Sequence, residues 1–296
     1  MMCATDDVPT IHNKAVRVLH GLLGSSTNFK TPGKRIRDTL SSETGVSWEC
    51  LCIDIRGHGS SSISTHNEDV NTIENAGKDV VDAVMKYTDG RGVDVVVGHS
   101  LGGKVAISYL SQTSSKGEVK PPSLTVSLDS IPGRVDRSKA SGESESVADV
   151  LNAVDEVKIP IQGKKELITE LTGGGKVSAG VAMWMTTNLK RREEGDGFEF
   201  TFDIPTARDL FKSFGETDYF PFLRTLGEGG GEGGPKVLLV RAGKNAGWEE
   251  SNVKEAMEKI GENENVKVKT LKDAGHWVHV DDLDGVVRAV CDEVKI

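Results

Sequence analysis

Gly98-His99-Ser100-Leu101-Gly102 is the segment of this chain whose residue types could carry out covalent chemistry. A serine hydroxyl can attack an acyl carbonyl once an adjacent base takes its proton, because the free hydroxyl is a weak nucleophile at neutral pH. As a bare G-x-S-x-G pattern the match is weak. Its surroundings strengthen it: residues 93–97 read as a strand and residues 101–110 as a helix, so Ser100 falls on a strand-to-helix turn with the geometry of a nucleophile elbow. Gly98 and Gly102 would let strand and helix approach, and the helix N-terminus would face any negative charge formed at the serine. The plainer alternative is a helix-capping serine after a glycine turn.

A base and an acid must then reach the same place. Of seven histidines, His276 follows the last predicted strand (266–271), which sets it at the sheet edge that carries Ser100 and after the serine in chain order. His20 and His58 follow earlier strands, and His279 lies three residues beyond His276. The usual place for the acid is the loop after the strand preceding the histidine strand, yet residues 241–247 hold no carboxylate, and Glu249 and Glu250 fall in the next predicted helix. Asp129, closing the strand 124–128, emerges at the same edge and could hold the tautomer of His276 and stabilise its imidazolium; its alternative role is to cap the next turn. An acyl oxyanion needs two N–H donors. The expected ones are Leu101, next after the serine, and Leu22 in the loop His20-Gly21-Leu22-Leu23-Gly24. The turn Asp54-Ile55-Arg56-Gly57-His58-Gly59-Ser60 reads mainly as a structural network, and Lys104 is either a solvated charge or a specific tie.

The elements that would position these residues alternate between strand-like and helix-like runs, which implies an α/β fold with a mostly parallel sheet covered by helices on both faces. Predicted strands lie at 15–19, 48–53, 93–97, 124–128, 236–240 and 266–271, with helices at 32–40, 67–87, 101–110, 248–260 and 283–294. Residues 1–130 and 235–296 would form the core. The alternation lapses over 131–234, where a polar stretch (134–146) precedes helices at 147–157, 164–171 and 177–189. Residues 198–222 then hold seven of the eight phenylalanines, which suggests an inserted helical lid with an apolar underside, joined by a Gly/Glu-rich connector at 227–234.

Composition sets outer limits. A chain of 296 residues with 36% apolar residues is long enough for a full core. With 45 acidic against 36 basic residues the net charge is −9, which argues against a nucleic-acid partner. The longest apolar runs fall well short of a bilayer span. Asp6 and Asp7 sit where a signal or transit peptide would be free of acids, so a cytoplasmic location is expected, with a mitochondrion or other organelle as the alternative. Cys3, Cys50, Cys52 and Cys291 are too few and scattered for a disulfide framework, and Cys50 and Cys52 read as small core residues rather than half a metal site.

Taken together, the His-Gly loop at 20–24, the Asp-x-Arg-Gly-x-Gly turn at 54–59, Gly-His-Ser-Leu-Gly-Gly-Lys at 98–104 and Gly-His-Trp-Val-His at 275–279 resemble the α/β-hydrolase family. Within it the chain is similar to the small-esterase subgroup of the abhydrolase-domain protein eleven type. That likeness rests on Thr27-Asn28-Phe29, Lys104, Leu128-Asp129 with Pro132, and Thr187-Asn188-Leu189. The resemblance covers roughly residues 15–290, specific at the motifs and loose over the lid. It implies hydrolysis of a small-molecule carboxylic ester or thioester, no metal or organic cofactor, and an acid at Asp129, since members of the subgroup also lack one after the penultimate strand. A carbon–carbon bond hydrolase or lyase on the same site, or a catalytically slow ligand- or partner-binding protein with a hydrolase shell, are the alternatives. Two features depart from the family: a first hairpin that is short or missing, and Arg17 inside a strand where an apolar residue is expected.

Overall fold

The computed structural model describes residues 13–61, 70–88, 90–116, 119–136, 147–228 and 234–294. Asp6, Asp7, Cys3, most of the polar stretch 134–146 and most of the glycine-rich connector lie outside the described residues.

Six strands form one sheet: β1 (Lys14–Leu19), β2 (Trp48–Ile53), β3 (Val95–His99), β4 (Leu124–Leu128), β7 (Lys236–Ala242) and β8 (Val266–Leu271), in the order β2-β1-β3-β4-β7-β8. Every pairing is parallel. Central β3 and β4 are buried along their whole length, as strands covered on both faces should be. Helices α1 (Lys30–Thr44) and α11 (Leu283–Val294) cover one face, with Ile36, Leu40, Val286 and Val290 packed on Val16, Val97 and Val240. On the other, α2 (Ile73–Thr88) and α3 (Leu101–Lys116) pack Val80, Val84 and Val105 against Leu19, Val96 and Leu239. Among the described residues no helix is long and apolar enough to cross a membrane.

Between β4 and β7 the described chain forms α4 (Val147–Asp155), α5 (Lys164–Thr172), α6 (Ala179–Met185), α7 (Ile204–Glu216) and α8 (Phe220–Arg224). It also forms a small antiparallel hairpin, β5 (Leu189–Arg191) and β6 (Phe198–Phe200), so that α6 stops at Met185 short of the residue 189 that the sequence pattern suggests. Leu151, Leu167, Val181 and Phe200 form a third apolar cluster, separate from the two on the sheet faces. Leu23 belongs to it and Trp277 packs against it, so this segment rests on the loops at the carboxyl edge of the sheet.

Three further differences from expectation have local causes. Helix α2 begins at Ile73 rather than near 67, because the Thr72 hydroxyl accepts the Asn75 N–H (3.1 Å) and caps it there. Strand β3 runs on through Gly98 and His99, which pair with Ser127 and Leu128. Arg17 is buried, its guanidinium donating to Glu49 Oε1 on neighbouring β2 (3.0 Å) and to the Val16 carbonyl (3.1 Å). Cys50 and Cys52 lie half-buried beneath α1, where a Cβ on Gly33 would come within 2.8 Å of the Cys50 sulfur.

Lys104, on the first turn of α3, is wholly buried. Its ammonium donates to the carbonyls of Gly133 (2.6 Å), Phe214 (2.5 Å) and Thr217 (3.0 Å) and sits 4.2 Å from the Phe214 ring centre. It is a tie rather than a solvated charge, and it pins the end of α7 and the start of the inserted segment to the sheet edge.

Candidate active site

Strand order reverses between β1 and β3, and in open parallel sheets the crevice at the carboxyl end of such a reversal is where ligands bind. The loop 20–24 leaves β1 there, and Ser100 alone separates β3 from α3. Its φ of 52° lies in the left-handed region that non-glycine residues seldom occupy. The turn closes only because both flanking glycines lack side chains. A Cβ on Gly98 would land on the Gly102 carbonyl, and one on Gly102 would stand 2.5 Å from the His20 carbonyl oxygen.

The side chains of Ser100, His276 and Asp129, far apart in sequence, form a chain of two hydrogen bonds. His276 Nε2 is 3.1 Å from Ser100 Oγ, and His276 Nδ1 is 2.7 Å from Asp129 Oδ2. Because a carboxylate only accepts, the neutral imidazole carries its proton on Nδ1 and presents the Nε2 lone pair to the hydroxyl. Asp129 is 2% exposed and receives three further donors: Ala242 N–H (2.9 Å) and Trp248 Nε1–H (2.7 Å) on Oδ1, and Asn245 Nδ2–H (2.8 Å) on Oδ2. Two oxygens that each accept two bonds are thereby filled. The loop after β7, which lacks an acid of its own, thus supplies donors to the acid from β4. Asn245 and Trp248 escape a search for carboxylates; two donor side chains where an acid is usual were the signal available. Glu249 is exposed and pairs with Arg241 (3.0 Å) and Lys254 (2.7 Å).

The N–H groups of Leu22 and Leu101 make no hydrogen bond among the described residues. That of Leu101 is one of the orphan donors of a helix start. Leu22 faces the cavity beside Ser100, while the neighbouring Leu23 N–H is taken by His58 Nε2 (3.1 Å). A Cβ on Gly21 would stand 3.4 Å from that of Ser100, which shows how closely this loop passes the serine.

Three other histidines brace the site through hydrogen bonds, and a fourth, His279, packs on the rings of Phe29 and His99. His20 Nδ1–H donates to the Gly21 carbonyl (2.7 Å) and its Nε2 accepts the Ile55 N–H (3.0 Å). His58 Nδ1–H donates to the Arg56 carbonyl (2.9 Å), and Arg56 itself grips Asp79 with two bonds. His99 Nε2–H donates to the His276 carbonyl (2.8 Å), which fixes the loop carrying the imidazole. Burial holds His99 well below the usual histidine range, with His279 and His276 adding to the effect. Burial likewise pushes His279 to about 4, helped by His276. Burial, then the neighbouring His20, pushes His58 down to about 3.

That shift predicts an acid-labile loop. Below the ordinary value of 6.5 the unfolded chain protonates at His58 while the folded one does not until about 3, so the unfolded state binds more protons across that window. Stability should fall as pH drops from 6.5 toward 3, by up to ~1.4 kcal/mol per pH unit for this one group. A His58→Gln variant keeps an acceptor for the Leu23 N–H and does not titrate. Urea unfolding at neutral and mildly acid pH should show the variant less stable at neutrality and losing less on acidification; equal losses would contradict the assignment.

Ser100 and His276 open on two cavities of about 750 and 780 Å³, measured out to their solvent mouths. A family profile described as the alpha/beta hydrolase family matches residues 18–289. The chain is 26% identical over 280 residues to the sn-1-specific diacylglycerol lipase ABHD11 of Xenopus laevis, covering 94% of this chain and 78% of that protein. It is 26% identical over 276 residues to the mouse protein of the same name, covering 93% and 79%. Among solved structures, a marine microorganism esterase superposes with a TM-score of 0.71 at 18% identity, over 95% of each chain.

Proposed function

The chain belongs to the alpha/beta hydrolase family, and on that footing we propose that it hydrolyses carboxylic esters or thioesters with Ser100 as the nucleophile. The carrying observation is the unbroken run of hydrogen bonds from Ser100 Oγ through His276 to Asp129. Esterase and lipase names among the similar proteins support the same reaction class.

In this reading Ser100 Oγ attacks the acyl carbon while His276 Nε2 takes its proton. Negative charge on the former carbonyl oxygen is met by the Leu22 and Leu101 N–H groups, which make no hydrogen bond among the described residues. Collapse of the tetrahedral species expels the alcohol or thiol, which leaves with the proton from His276. Water, deprotonated by the same imidazole, then attacks the acyl-enzyme, and Ser100 leaves with that proton. Asp129 keeps Nδ1 protonated and stabilises the imidazolium that forms in each half-reaction. The described part of the segment 131–234 serves as a lid over the edge, with Val147, Val150, Val181 and Trp184 forming an apolar wall above Ser100.

The test is incubation with a p-nitrophenyl acyl ester and, separately, with a fluorophosphonate probe. Release of p-nitrophenol and one phosphonylated site, mapped by peptide mass spectrometry to Ser100, are expected. Absence of both would end the proposal.

A further inference from the structure

Two cavities diverge from Ser100, and their linings share only three residues: Ser100, His276 and Val147. The first lies on the β1 side, walled by Leu22, Phe29, Val150, Trp184 and Trp277. The second lies on the β4–β7 side, walled by Ile131, Val135, Phe211, Phe214 and Val253, with Arg134 and Glu250 also in its lining. Each opens from the same serine between its own mainly apolar walls, so an ester with one long arm would occupy one and leave the other unfilled. A tetrahedral carbon bonded to Ser100 with its oxyanion in a fixed position sends its two remaining substituents in different directions, as the cavities run.

We infer that the substrate is an ester with two apolar arms, one in each cavity, and that Val147, at the neck between them, determines which esters fit. The inference rests on the ester-hydrolase reading and adds to it the substrate's shape. Val147 opens α4, is half-buried, and is the one residue besides Ser100 and His276 that lines both cavities. Apolar lining on both sides means that each methylene moved out of water on either arm should raise kcat/KM by about fourfold until its cavity is full.

Four esters separate the arms: ethyl acetate, ethyl hexanoate, hexyl acetate and hexyl hexanoate, each assayed by pH-stat below its solubility limit. Lengthening a straight alkyl arm hardly alters intrinsic ester reactivity, so differences report binding in the transition state. Hexyl hexanoate should exceed both ethyl hexanoate and hexyl acetate by about tenfold or more in kcat/KM. In Val147→Phe the ratio of hexyl hexanoate to ethyl acetate should fall about tenfold, and in Val147→Ala the ratio of a fifth ester, hexyl 2-methylhexanoate, to hexyl hexanoate should rise about tenfold. Fluorophosphonate labelling of Ser100 in each variant establishes that the site is intact, and if the Phe variant does not fold the Ala variant decides. Hexyl hexanoate no better than ethyl hexanoate, with Ser100 still labelled, overturns the two-arm inference alone. Unchanged ratios in both variants overturn the role of Val147. No turnover of any ester together with no labelling overturns this inference and the reading beneath it.

Discussion

Replacing Ser100 by alanine should lower kcat for p-nitrophenyl hexanoate by about a millionfold, the scale on which serine hydrolases respond to loss of their nucleophile. The fold should survive the change. Alanine has the same Cβ as serine, so it meets the same cost at a φ of 52°, and the hydroxyl's bond to His276 is half exposed rather than part of the core. Urea midpoints of the two proteins should therefore agree within about 0.5 kcal/mol. What disappears is the covalent route. The donors at Leu22 and Leu101 and the His276–Asp129 pair all remain, and they define a floor of about a thousandfold over water through direct attack by a solvent molecule. Steady-state hydrolysis and fluorophosphonate labelling measure the two consequences separately. A drop of less than about tenfold would mean that His276 activates water directly and that Ser100 is a spectator. Full loss of turnover with a biological effect that persists would instead point to binding as the chain's role.

How much of this site could be read from the sequence follows from where the information lies. Strands β2, β4 and β8 and helix α11 are legible to the residue, because the strand residues, alternating in β4 and β8 and mostly apolar in β2, lie between turn residues, and α11 keeps a clear helical period. Strand β3 is not. Its apolar stretch stops at Val97, but backbone pairing continues through Gly98 and His99, and a ladder of N–H and C=O groups leaves no mark in side-chain type. The hairpin β5–β6 is hidden for a different reason: each strand has three residues, too few to display a period, and Leu189 prolongs the apolar repeat of α6. Ser100, His276 and Asp129 are legible because topology sends every loop after a parallel strand to one edge. Their supports are not. His99 acts on His276 through the backbone carbonyl, and Lys104 through three carbonyls, contacts that any sequence could make or fail to make. Asn245 and Trp248 become visible only once Asp129 is known to need donors.

Those donors make Asp129→Asn the sharpest test of the acid. An asparagine is nearly isosteric, so no cavity opens; what changes is that one oxygen becomes an NH₂ group that donates and cannot accept. If that NH₂ takes the place of Oδ1, it faces the Ala242 N–H and the Trp248 indole N–H; in place of Oδ2, it faces Asn245 and His276. Of the two, only the second lets Asn245 relieve the conflict by turning its own amide oxygen forward, at the expense of its bond to Gly247 N–H (3.0 Å). The favoured orientation therefore puts an N–H against Nδ1 of His276. The imidazole must then move its proton to Nε2, where it meets the Ser100 hydroxyl as a donor and cannot serve as base. kcat should fall by about ten-thousandfold near neutral pH, with KM for a simple ester little changed, because the exchanged group touches no substrate. Loss of one buried acceptor should also lower stability by about 1–3 kcal/mol, read from urea unfolding. Raising the pH should restore part of the rate, as hydroxide comes to replace the imidazole in deprotonating the serine. Near-wild-type kcat would exclude Asp129 and send the role to Glu250, which lines the second cavity. A stability loss without a kcat loss would leave Asp129 as a structural acceptor for Ala242, Asn245 and Trp248 and nothing more.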